Sequence, residues 1–120
     1  MIQQARWKAE VEIMHLRFPT FIDYQAMDGS VGFCGSWRGP RTGRKYTIIV
    51  RVPAKRYPEM EPAVYIHPRI ATKHWQIDEV NYDPNGRVNL FHHLRPWIPT
   101  RSSFANCVLC AIQFLEEFDR

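Results

Sequence analysis

At 120 residues the chain has room for one hydrophobic core and not for two. Hydrophobic residues at 45% and charged residues at 23% exclude wholesale disorder, and no apolar run approaches the ~20 residues that a membrane helix needs. Lys and Arg outnumber Asp and Glu by 16 to 12; a net charge of +4 is too small to mark a nucleic-acid binder. The opening MIQQARWKAE is polar and lacks the apolar stretch of a secretory leader. Three cysteines, Cys34, Cys107 and Cys110, are an odd number and argue against a disulfide framework. Together these features point to a single domain over residues 1–120 in a reducing, cytoplasmic compartment.

In chain order, residues 3–16 read as a helix. Trp7, Val11 and Met14 recur at spacings of four and three, with Ala9, Ile13 and Leu16 as a neighbouring stripe, and both are expected to pack on the core. Pro19 follows where proline cannot continue the helix. Residues 20–37 read as two short strands around Asp28-Gly29. The segment from Arg38 to Lys45 has the Gly and Pro of a loop. Its four charges, Arg38, Arg41, Arg44 and Lys45, are all positive, which suits a solvated hairpin tip or a contact for an acidic partner surface. Residues 46–52 alternate as a strand, with Tyr46, Ile48, Val50 and Val52 on one face. A further strand is expected at Ala63–His67, after a rigid segment with Pro58 and Pro62. Residues 68–101 lack periodicity, and so long an irregular stretch is usually functional. Residues 102–118 predict a second helix. Phe104, Val108, Ala111, Leu115 and Phe118 form one stripe, and Cys107, Cys110 and Phe114 another. Ser102 and Ser103 are its N-cap candidates.

Chemistry-bearing groupings are few. Cys107-x-x-Cys110 falls mid-helix among apolar neighbours, whereas a redox pair needs a helix N-terminus and a zinc site needs a second ligand pair. These thiols are expected to be buried and inert. His92 and His93 are adjacent and would face opposite ways on a strand; with His74 they make a poor metal site. Neither a phosphate-binding loop nor a nucleophile-elbow serine is present, so no cofactor or metal is expected. Asp78-Glu79 and Glu116-Glu117 read as solvated charges.

The order helix, antiparallel strands, Tyr-Pro segment, irregular stretch, Trp-x-Pro, helix resembles the ubiquitin-conjugating enzymes. Tyr57-Pro58 through Pro62-Ala63-Val64 is similar to that family's YPxxPPxV segment, with Ala63 replacing a proline. Residues 80–90 (VNYDPNGRVNL) align without a gap to its Pro-Asn…Asn-Gly-x-Ile-Cys-Leu block. Asn81 falls on the asparagine of the His-Pro-Asn motif, with Glu79 and Val80 in place of its His and Pro, and Asn85-Gly86 falls on its turn. Trp97-Ile98-Pro99 falls on its Trp-Ser-Pro.

The resemblance implies an α/β fold of the α+β kind. An N-terminal helix, a four-stranded antiparallel meander and an irregular active-site-like segment precede a C-terminal helix packed on the sheet. Trp97 would wedge the irregular segment against the core. Asn81 would support an oxyanion or a nearby loop. The position of the nucleophilic cysteine, however, is Asn89. The family's reaction needs a thiolate that accepts a ubiquitin-like C-terminus as a thioester, and a carboxamide is no nucleophile at neutral pH. The sequence also ends without the additional C-terminal helices of many active members. The expectation is therefore a catalytically dead variant that binds a ubiquitin-like protein, an activating enzyme or an active conjugating enzyme non-covalently. If the chain is bacterial, an operon for ubiquitin-like modification or defence would be its setting. Partner contacts are expected at Arg38, Arg41, Arg44, Lys45 and Trp97. Two alternatives stand beside it: Cys34 as a displaced nucleophile, and a docking or anionic-surface module built on the same fold.

Overall fold

The computed structural model describes residues 4–67, 87–88, 96–117 and 119. Asn81 and Asn89, with His74, Glu79, Val80, Asn85-Gly86, His92 and His93, lie outside the described residues.

Helix α1 runs Gln4–Arg17 and helix α2 Phe104–Glu116. Between them lie strands β1 (Ile22–Gln25), β2 (Ser30–Arg38), β3 (Lys45–Pro53) and β4 (Ala63–His67), with a two-residue β5 at Arg87–Val88. Every pairing is antiparallel and the order is β1-β2-β3-β4-β5, so the fold is α+β and the expected four-stranded meander carries a short fifth strand on β4. A 3-10 turn at Ala54–Arg56 follows β3, and the Tyr57-Pro58 bond is cis. Among the described residues no helix is long and apolar enough to cross a membrane.

Alternation in β3 sets the faces of the sheet. Tyr46, Ile48, Val50 and Val52 are buried, and their cross-strand neighbours Val31, Phe33, Val64 and Ile66 complete one inner face. Helix α2 packs there against β2, β3 and β4, and α1 packs on α2. The β1–β2 turn is closed at Asp28-Gly29: Gly29 has φ 88°, and the Asp28 carboxylate accepts the Ser30 N–H at 2.9 Å.

The two helices use their faces differently. Along α2, Phe104, Ala105, Cys107, Val108, Cys110, Ala111, Phe114 and Leu115 are all buried, as the double stripe requires. Its start is a reciprocal cap: Ser103 Oγ accepts the Asn106 N–H at 3.3 Å, and Asn106 Oδ1 accepts the Ser103 N–H at 2.9 Å. In α1 only the Trp7–Val11–Met14 stripe turns inward. Ala9, Ile13 and Leu16 face solvent, Leu16 at 84% exposure, which corrects the expectation of a second packed stripe. The reason is geometric: α1 touches the rest of the protein along one face, and Glu10 shares that face.

Phe104 is the hub of the packing. Its ring lies 5.8 Å from Trp7, 5.2 Å from Phe33 and 4.8 Å from Tyr57, measured between centroids. It therefore joins α1, β2 and the segment after the 3-10 turn. Truncating it would leave a cavity bounded by three aromatic rings. Phe104→Ala should destabilise the fold by about 4 kcal/mol, read from a shift in the urea midpoint at unchanged slope.

Candidate functional site

A buried carboxylate organises the chain just before α2. Glu10 is 2% exposed. One oxygen accepts the Phe104 N–H at 3.1 Å, satisfying a donor that the first turn of α2 leaves free. The other accepts Arg6 Nε at 3.0 Å and a short hydrogen bond from the Tyr57 hydroxyl. Arg6 then spends its remaining donors on the same region. Nη1 donates to the Pro99 carbonyl at 2.9 Å, and Nη2 to the Ser102 carbonyl at 2.7 Å and the Tyr57 oxygen at 3.1 Å. Burial works against the Arg6 charge, but the bonds to Glu10 and Tyr57 outweigh it and raise its pKa. Burial and the Glu10 charge push the Tyr57 hydroxyl well above its ordinary value, so it serves as a donor throughout the physiological range.

This cluster fixes Trp97. The indole ring is half-buried and lies 6.0 Å from Tyr57, and its Nε1–H donates to the Pro58 carbonyl at 2.6 Å. Ser102 completes the turn by accepting the Ile98 N–H at 3.0 Å. Trp97 thus packs against the core beside Tyr57; most of the irregular stretch before it lies outside the described residues.

The four predicted cations do come together, at the hairpin joining β2 and β3. Arg38, Arg41, Arg44 and Lys45 are all exposed. Arg38 Nη1 donates to the Gly43 carbonyl at 2.5 Å, which stiffens the tip. The tip also holds a carboxylate from the far end of the chain. Asp119 accepts the N–H of Arg41 at 2.8 Å, the N–H of Thr42 at 2.9 Å and the Thr42 hydroxyl at 2.6 Å. Gly39 makes room for it, since a Cβ there would stand 2.2 Å from Asp119 Oδ1. Burial pushes the Asp119 carboxyl up, but the bonds from Thr42 and Arg41 overcome this and hold it below its ordinary value.

Hairpin and Trp97 are not brought together. They lie toward opposite ends of β3, which is about 26 Å long at 3.3 Å per residue. Cys34 is half-buried on the outer face of the sheet, paired across strands with Ile22 and Ile49. On the same face the Arg51 guanidinium lies 5.0 Å from the Tyr65 ring. Cys107 and Cys110 are buried, and burial drives the Cys107 thiol far above its ordinary pKa. A groove of about 1010 Å³ runs between α1, the β1–β2 turn and Pro53–Lys55. Trp7, Val11 and Val31 line it, together with Lys8, Lys55 and Glu12, so its rim carries both signs of charge.

Sequence reasoning missed Arg6, Glu10 and Asp119. Glu10 had a signal: it stands three residues after Trp7 and four before Met14, inside the inward stripe, with Arg6 one turn earlier. Asp119 had none, because its partners lie 77 and 78 positions away.

No protein-family model, curated protein or solved structure matches the chain.

Two outcomes follow from this geometry. Glu10→Ala strands the Tyr57 hydroxyl and the Phe104 N–H in the core, while Arg6, 24% exposed, still reaches water. The loss should be about 3 kcal/mol by urea denaturation, and Tyr57→Phe should cost less than half of that. Because the folded pKa of Asp119 is depressed, its contribution is complete above the ordinary value of 3.8 and disappears as the pH falls through the folded pKa below it. The amide proton shifts of Arg41 and Thr42 should follow that titration in an NMR pH series, and Asp119→Asn should abolish it.

Proposed function

We propose that the protein is a non-catalytic relative of the ubiquitin-conjugating enzymes, binding a ubiquitin-like protein or another component of a conjugation pathway without bonding to it. The observation that carries this is Asn89 at the aligned nucleophile position, in a block that otherwise keeps the family's spacing. The element order, with one helix before an antiparallel meander and one after, is compatible with that scaffold.

The three thiols add support. Cys107 and Cys110 lie in the core of α2, and Cys107 is disfavoured as a thiolate by burial. Cys34 is on β2, three strand spacings from β5, about 14 Å at ~4.8 Å per strand. Non-covalent capture would fall to exposed surface, such as the four exposed cations of the β2–β3 hairpin.

The test is an ATP-driven thioester assay with an activating enzyme and a ubiquitin-like protein, paired with a calorimetric titration of the same proteins. The chain should form no adduct removable by dithiothreitol and should bind one component reversibly. A thiol-sensitive adduct that vanishes in Cys34→Ala would overturn the proposal in favour of a displaced nucleophile.

A further inference from the structure

The hairpin tip is built to hold a carboxylate. Two successive backbone N–H groups and a hydroxyl bracket both oxygens of Asp119 at 2.6–2.9 Å. Such a set of converging donors binds any carboxylate, because it reads the oxygens and not the chain that bears them. Gly39 forms the wall of the cradle, and a side chain at that position would fill it.

The present occupant is buried, at 6% exposure, but arrives from an electrostatically poor position. Asp119 follows the C-terminus of α2, where Glu116 and Glu117 also lie and the last turn holds no basic residue. Negative charge at that end opposes the helix dipole. Its own backbone N–H donates to Glu116 O at 3.3 Å, a long bond. Meanwhile the tip exposes Arg41, Arg44 and Lys45 beside the cradle. One carboxylate fills the cradle and leaves most of that positive charge facing solvent.

We propose that the β2–β3 hairpin tip is a carboxylate-binding site that Asp119 fills from within the chain, and that an acidic peptide segment of a partner fills by displacing it. The internal carboxylate has the advantage of proximity, with an effective concentration on the order of millimolar. A single free carboxylate below that concentration does not compete. A segment with several carboxylates does, since one enters the cradle while others pair with the exposed cations. Asp119 is then a built-in competitor that lowers affinity by the fraction of time the cradle is empty. The site functions in this way whether or not the scaffold serves a conjugation pathway.

The test is an NMR titration of the ¹⁵N-labelled chain with an octaglutamate peptide, and with acetate, in dilute buffer. The peptide should move the amide resonances of Arg41 and Thr42, and acetate at the same carboxylate concentration should not. Asp119→Ala should bind the peptide about fivefold more tightly than the unmodified chain, and Asp119→Asn, which keeps an uncharged acceptor, should fall between them. Thr42→Val in the Asp119→Ala background should weaken binding again. Equal or weaker affinity in Asp119→Ala overturns the proposal, as does an absence of binding. Binding that leaves the Arg41 and Thr42 amides unmoved also overturns it, since charge alone would then account for the affinity. If Asp119→Ala loses the dispersed spectrum of a folded chain, Asp119→Asn decides: tightening supports displacement and unchanged affinity overturns it.

Discussion

The Glu10 carboxylate is satisfied by three parts of the chain at once: Arg6 on its own helix, Tyr57 after β3, and the first N–H of α2. A carboxylate at 2% exposure is tolerated when its lone pairs are filled and a positive charge is near. Arg6 meets that need and adds bonds to the Pro99 and Ser102 carbonyls. One buried carboxylate thus ties α1, the segment after β3 and the start of α2 together. The aromatic cluster around Phe104 is the apolar counterpart of the same junction.

The second polar junction has a different character. Glu10 is held inside the protein by the Tyr57 hydroxyl, the Phe104 N–H and an arginine that also reaches water. Asp119 is held by a hairpin tip whose side chains face solvent. Asp119 is nonetheless only 6% exposed, and its junction lies at the tip of the hairpin whose register runs from Ser30 to Pro53. The chain thus anchors α2 through one carboxylate where the helix starts and through another just past where it stops.

Much of the scaffold was legible from residue order. The alternation Tyr46, Ile48, Val50, Val52 specifies β3 because a period of two puts all four on the buried face. The double apolar stripe of α2 was equally plain and its cap was narrowed to Ser102 or Ser103, since both are local signals; the structure selects Ser103. The four cations were visible as a cluster, but the carboxylate between them was not, because no local rule pairs Thr42 with Asp119. In α1 the apolar pattern misled: Ala9, Ile13 and Leu16 have the right spacing for packing but face solvent, whereas Glu10 is buried. A carboxylate that caps another helix belongs in the core for a reason that appears only once the two helices meet.

That meeting carries a kinetic cost for a chain made from its N-terminus. Arg6 and Glu10 find their acceptors and donors at separations of 47 to 96 positions. During synthesis α1 emerges with Arg6 and Glu10 paired to each other, while the carbonyls and the amide that they also serve belong to residues 99–104. Long-range closure of this kind slows assembly and prolongs the exposure of apolar surface. The junction between α1 and the start of α2 is therefore a contact of high sequence separation, the kind that closes late in folding.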